Sequence, residues 1–178
     1  MLHRLHGLGV RIYVSRAKLI TRRALRTFAE LVQAYRQRTF RLWLISPWIS
    51  FEDENQDSLI VLIDALRDRN CPVVLITRPP ASEWHRKAVQ LLQENTKLTA
   101  FSCPSLHTKL YIAECDGFRA ALLGSANLTT RGDRFNREIA IELRTTIENP
   151  RGDPIASLIN ELTEYASSLR EEDDVDLL

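Results

Sequence analysis

Little in this 178-residue sequence points to a membrane, a disulfide framework or a metal centre. Its apolar runs fall well short of the roughly 18 residues that a spanning helix needs. The first residues, MLHRLHGLGVRIYVSRAK, interrupt their apolar positions with charge too often for a signal peptide, so a cytoplasmic location is expected. The three cysteines, Cys71, Cys103 and Cys115, make an odd count without a CxxC pair, which fits reduced thiols better than disulfides. Cys103 precedes His107 by four positions, a spacing open to a metal pair or a Cys–His couple, yet no further ligand follows at metal-site spacing. Internal repeats, linkers and low-complexity segments are also missing. Hydrophobic residues at 44% and charged residues at 26% leave an ordinary globular chain, long enough for one core in one domain over 1–178.

What is present is an uneven distribution of charge beneath a net charge of +1. Up to Arg41 the charges are basic except for Glu30, and they include Arg16, Lys18, Arg22, Arg23 and Arg26. From Glu142 onward acids predominate, ending in the EEDD run of a frayed tail. A basic front half suits a polyanionic partner, DNA or RNA; the plainer reading is a solvated helix face.

Periodicity divides the chain into alternating elements. Ile20, Ala24, Phe28, Leu31, Val32 and Tyr35 recur at helical spacing and predict a basic amphipathic helix over 16–37. FRLWLIS, ending at Pro47, reads as a buried strand, and Leu59 to Leu66 as a second helix. Val73 to Ile76 is a short strand, and Ser82 is placed to cap a helix carrying Trp84, Ala88, Leu91 and Leu92 on one face. Strands follow over 97–101, 109–113, 118–123 and 138–143. Asp153 as N-cap and Pro154 at the first helical position open a last helix over 154–170. The expected class is α/β, with a core over 38–145 and a mixed β-sheet flanked by helices on both faces.

The chemistry concentrates in SLHTKLYIAECDGFRAALLGSANLT, residues 105–129. Alternate residues of a strand share a face about 6.6 Å apart, so His107 and Lys109 can touch one tetrahedral anion. A lysine on a buried strand needs water or an anion as partner. The next strand delivers Gly124, Ser125, Ala126 and Asn127: a glycine for a sharp turn, then neutral donors. An imidazole, an ammonium and an amide around one pocket suit a phosphate, with the imidazole able to attack it.

His107, Lys109, Gly124, Ser125 and Asn127 together fill an HxK…GSxN pattern that resembles the signature of the phospholipase D superfamily, in its small single-motif, nuclease-like branch. LISPWIS and Asn136-Arg137-Glu138 look like the superfamily's flanking blocks, so the resemblance runs from about Phe40 to Leu143. Glu114 stands where the family usually has aspartate, at a position that is largely structural there.

The resemblance implies a phosphodiesterase that passes through a phosphohistidine. Displacement at phosphorus needs a nucleophile on one side and an acid on the other, and one imidazole does not do both in one step. Family members use two HxK motifs; this chain has room for one with its GSxN partner, so a twofold homodimer with a shared site is implied. Lys109 and Asn127 would hold the nonbridging oxygens, Ser125 would add a donor, and Glu138 would orient the nucleophilic imidazole. The lysines supply the positive charge, so no metal and no other cofactor is implied.

Gly124, Trp48, Arg22, Arg23 and Arg26 are the candidate substrate contacts. Trp48 has two readings, a stacking surface for a base or a core tryptophan. His3, His6 and His85 read as structural, and the Arg-Gly-Asp runs at Arg131 and Arg151 as chance turn sequences. Small single-motif members of the family look most like nucleases, including restriction and phage-defence enzymes. The alternatives are a phospholipase or phosphatidyltransferase, or an idle nucleic-acid-binding subunit of a larger assembly. No amphipathic anchor or hydrophobic lip suggests lipid access.

Overall fold

The computed structural model describes residues 16–51, 57–67, 69–134, 136, 138–146 and 153–172. Seven strands form one sheet: β1 (Arg16–Ile20), β2 (Thr39–Ile45), β3 (Pro72–Thr77), β4 (Lys97–Ser102), β5 (Leu110–Cys115), β6 (Phe118–Gly124) and β7 (Ala140–Thr146). Their order is β1-β7-β6-β5-β2-β3-β4. Strands β2, β3 and β4 are parallel, and every other pairing is antiparallel. The helices are α1 (Ala24–Ala34), α2 (Ser58–Leu66), α3 (Glu83–Asn95), α4 (Thr130–Arg134) and α5 (Pro154–Glu172).

The central strands are apolar on both faces because both faces are covered. Leu42, Leu44, Val73, Leu75, Tyr111 and Ala113 join a core with α1, α2 and α3. The alternate residues Trp43, Ile45, Ile76, Leu110 and Ile112 meet Ile155, Ile159, Ala166 and Leu169 of α5. Asp153 caps α5 by accepting from the amides of Ile155 (2.9 Å) and Ala156 (3.3 Å). Ser82 caps α3 by accepting from the amide of His85.

One expected element is replaced. Residues 16–37 do not form a single helix: Arg16–Ile20 is an edge strand on β7, and the helix begins only at Ala24. RAKLI alternates polar and apolar residues, and the free edge of β7 gives that short alternation a partner. The turn between the two places Arg23 in the left-handed region at φ 52. Trp84, expected on the inward face of α3, is 52% exposed. His3, His6, Arg4, Arg11 and Arg151 lie outside the described residues.

Among the described residues a single helix, α5, packs on the second face and leaves part of it exposed. Leu110 pairs with Leu123, Leu123 with Ile141, and Ile141 with Leu19. Exposure along that row rises from 3% to 36%, 47% and 63%. The row starts at the GSAN turn, beside Ile139, which is 61% exposed.

Candidate active site

Register brings six strand ends to one end of the sheet. Ile45 at the close of β2 pairs with Ile76 and with Leu110 at the start of β5, and Leu110 pairs with Leu123. Gly124 pairs with Ala140, which pairs with Ile20. Whatever follows β2, β3, β6 and β1, or precedes β5 and β7, therefore gathers here. Ligands of open α/β sheets bind outside the carboxyl ends of parallel strands, where β2 and β3 finish.

His107 and Lys109 sit in the extended segment just before β5 rather than within it. Lys109 Nζ donates to the carbonyl of His107 at 2.8 Å and lies 3.4 Å from its Nδ1. A lysine only donates, so this contact makes Nδ1 the acceptor and leaves the ring proton on Nε2. The imidazole itself is exposed. The carbonyl of Lys109 accepts from the amide of Gly124 at 3.3 Å, which levels the HxK segment with the GSAN turn.

Ser125 is bound on three sides. Its amide donates to Ile139 O at 3.1 Å, its hydroxyl oxygen accepts from Ile139 N at 3.2 Å, and its proton goes to Glu138. Asn136 Nδ2 donates to the second oxygen of Glu138 at 3.1 Å. The expected free donor at Ser125 is thus engaged with the carboxylate. Among the described residues, the hydrogen-bond partners of the Glu138 side chain are Ser125 and Asn136, and that of the His107 ring is Lys109.

Space explains the glycines. A methyl group on Gly124 would lie 2.6 Å from Ile139 O, so the requirement is close approach of β7 rather than a special turn. A methyl group on Gly132 would lie 2.3 Å from Asn127 O. Gly132 belongs to the Arg-Gly-Asp run read as a chance turn; it is instead packed in α4 against the peptide of Asn127. The amide oxygen of Asn127, Oδ1, is buried without a hydrogen-bond partner.

The segment after β2 holds the GSAN turn in place. Ser46 Oγ accepts from the amide of Leu128 at 3.1 Å and donates to Trp48 O at 2.8 Å. Ile49 forms a parallel bridge with Leu128, and Ser50 N donates to Leu128 O at 3.0 Å. Tyr111 donates its hydroxyl to Ala126 O at 2.7 Å from within the core. Burial pushes that hydroxyl well above its usual range; the Ser46 bond pulls it back, and the Glu138 charge adds to the rise.

The candidate basic contacts divide. Arg22 and Arg23 leave β1 at the site end, both exposed. Arg26, a turn further on, is ion-paired to Glu30 at 2.9 Å. Lys18 pairs across the ladder with Glu142, midway along the sheet. Arg16, one of the basic residues of the front half, pairs with Arg144 at the opposite end, where it lines a cavity of about 210 Å³ with Tyr35 and Phe118. Distance from the HxK segment removes it from the site.

Glu114 confirms a structural acid. It is 4% exposed, accepts from Trp43 Nε1 at 3.1 Å and pairs with Arg119 at 3.4 Å, which in turn binds Asp153 at 2.6 Å. Cys103 turns its thiol to Tyr165 Oη at 3.1 Å, and among the described residues no cluster of potential metal ligands forms. Trp48 is 38% exposed rather than core, with the guanidinium of Arg78 5.5 Å over its ring. Arg78 went unnoticed in the sequence; its place just past the carboxyl end of β3 was the available signal.

A family model described as "Cardiolipin synthase, PLD-like domain" matches residues 7–165. No curated protein matches the chain. Among solved structures, NucT from Helicobacter pylori is 13% identical with a TM-score of 0.59, over 88% of this chain and 96% of that one. Nuc from Salmonella typhimurium, a phospholipase D family member, is 14% identical with a TM-score of 0.58, over 88% and 95%. Polyphosphate kinase from Porphyromonas gingivalis is 14% identical with a TM-score of 0.57, over 86% of this chain and 26% of that one. At such identities the likeness is one of fold, and its span from a phospholipase D family member to a polyphosphate kinase means that function must be argued from the site.

Proposed function

The chain belongs to the phospholipase D-like family of phosphodiesterases, and on that premise we propose that it is a nuclease whose active site is completed by a second copy of the chain. The carrying observation is the placement of His107 and Lys109, 3.4 Å apart, level with the GSAN turn and accompanied by exposed Arg22 and Arg23. A long polyanion uses such flanking arginines; a single headgroup does not.

The chemistry follows from the groups present. His107 Nε2 attacks phosphorus, an N–P bond forms, and the P–O bond to the leaving oxygen breaks. The partner subunit's His107 gives that oxygen its Nε2 proton. Water then attacks, the partner subunit's His107 takes its proton, and the N–P bond breaks. The contact of Lys109 with Nδ1 suits neither role. The acid is the imidazolium, which carries protons on both nitrogens and returns to the neutral ring when it gives up the one on Nε2. A phosphate draws Lys109 away, and the nucleophilic tautomer then carries its proton on Nδ1, with Glu138 as the carboxylate that receives it. Lys109 and Asn127 from both subunits neutralise the nonbridging oxygens.

Two features support the dimer. The chain has two HxK triplets, but His85-Arg86-Lys87 lies on α3 with its imidazole buried against Thr77. One histidine, His107, thus serves the GSAN turn, and an imidazole is needed on each side of phosphorus. The row Leu123, Ile141 and Leu19, exposed among the described residues together with Ile139, begins at the GSAN turn and offers a twofold partner an apolar seat beside the site. Acyl chains of a phospholipid are the other occupant such a row could serve, and that is the second reading.

Incubating purified protein with labelled DNA, RNA and phosphatidylcholine vesicles in EDTA tests the choice. Cleavage of nucleic acid with lipid left intact is expected, since two Lys109 side chains carry the charge-neutralising role. Hydrolysis of lipid alone overturns the nuclease in favour of the phospholipase. Loss of cutting in chelator, restored by magnesium, overturns the mechanism.

A further inference from the structure

We infer that Trp48 and Arg78 form a platform for an unpaired nucleotide next to the reacting phosphate, a binding role that rests on the nuclease reading above. The two residues are joined to both halves of the site. Trp48 belongs to the segment whose next residue, Ile49, bridges Leu128, so it lies beside Asn127. Arg78 Nε donates to Leu106 O at 2.8 Å, the carbonyl immediately before His107. The guanidinium also covers the Trp48 ring at 5.5 Å, and so closes a path from Asn127 through Trp48 and Arg78 to His107.

Each member has capacity left over. Trp48 is 38% exposed although a large apolar ring gains by burial, and the ring is braced from within by the edge of buried His85 at 5.9 Å. His85 is itself fixed, with Nε2 2.9 Å from Thr77 Oγ1. Arg78 uses only Nε among the described residues, so its two terminal nitrogens remain for a planar or anionic ligand. Guanidinium planes and tryptophan rings both stack bases, and a guanidinium fork also grips phosphate. A base inside a duplex is already stacked, so this surface favours a single strand.

A purely structural Arg78, holding the His107 segment through Leu106, is the competing account. Arg78→Gln separates the two, because a glutamine amide still donates to a carbonyl but carries no charge. The experiment uses full-length His107→Ala protein, inert toward its ligand, with Trp48→Ala, Trp48→Phe or Arg78→Gln added. Binding of a fluorescent oligothymidylate and of a duplex is titrated at several salt concentrations.

Trp48→Ala should weaken single-strand binding about 5-fold or more, and Trp48→Phe should restore most of it. Arg78→Gln should lower the slope of log affinity against log salt by about 0.7, the change for one phosphate contact on a single strand. Wild-type affinity and slope in both Trp48→Ala and Arg78→Gln overturn the platform while leaving the nuclease reading intact. Stronger binding of the duplex than of the single strand also overturns it. Failure of the parent His107→Ala protein to bind either nucleic acid removes the nuclease reading, and the platform with it.

Discussion

Replacing Gly132 with alanine should impair catalysis from a position that touches no substrate. The new methyl carbon would lie 2.3 Å from Asn127 O and 3.3 Å from Asn127 N and C. Carbon contacts under 3.0 Å do not occur, so the Asn127 peptide or α4 must move by about 0.7 Å, the difference between the two distances. The neighbours resist this: Thr129 N donates to Asn127 O at 2.8 Å, and Gly132 N donates to Thr129 Oγ1 at 3.1 Å. Misplacement of a reacting group by about 1 Å costs up to about 10²-fold in rate, so kcat should fall roughly 10- to 100-fold. Overpacking adds a stability loss of about 1–3 kcal/mol. Gly117 supplies the control, because it stands in the β5–β6 turn at φ +88 with Arg38 2.8 Å from an added methyl, far from Asn127. Gly117→Ala should lower Tm comparably and spare kcat. The assay is kcat and KM on a chromogenic phosphodiester, with thermal melts of both variants. Wild-type kcat in Gly132→Ala, or an equal loss in Gly117→Ala, refutes the reasoning.

Charge reversal should separate the basic residues by position: Arg22→Glu with Arg23→Glu weakens nucleic-acid binding and flattens its salt dependence, while Arg16→Glu does neither, as a salt titration will show. Burial holds the His85 imidazole down at about 4, from an ordinary 6.5. The unfolded chain therefore takes up a proton that the fold refuses, so stability is full above about pH 6.5 and declines by up to about 3 kcal/mol as pH falls toward 4. Denaturant melts across that window should show this slope, and His85→Leu should flatten it; a wild-type slope in the variant contradicts the assignment. Arg23 occupies the left-handed region that glycine adopts without strain. Arg23→Gly should therefore keep or raise Tm while weakening nucleic-acid binding, and a marked fall in Tm contradicts that.

Strands with long apolar runs were legible because such runs are local facts. β3 was expected over 73–76 and forms Pro72–Thr77; β6 was expected over 118–123 and forms Phe118–Gly124. Arg16–Ile20 was not legible as a strand. Ile20 and Ala24 fit a helical stripe equally well, and what decides between them is the edge of β7, more than a hundred residues away. The HxK and GSAN segments could be read as a pair because their residue types are unusual together. Arg78 could not: its partners are Leu106, 28 residues on, and Trp48, 30 residues back, and an arginine after a strand is unremarkable alone. Gly132 was hidden by its setting in Arg-Gly-Asp, since the peptide it presses on belongs to the preceding turn.

The central claim is that one phosphate is handled by two copies of His107. Wild-type protein mixed with His107→Ala protein, unfolded and refolded together so that subunits exchange, tests this most directly. A shared site needs wild-type histidine from both subunits, so turnover should follow the square of the wild-type fraction. An equal mixture should then retain about a quarter of the activity of the same total amount of wild type. Retention of about half, linear in the wild-type fraction, would mean that each chain works alone and would contradict the account.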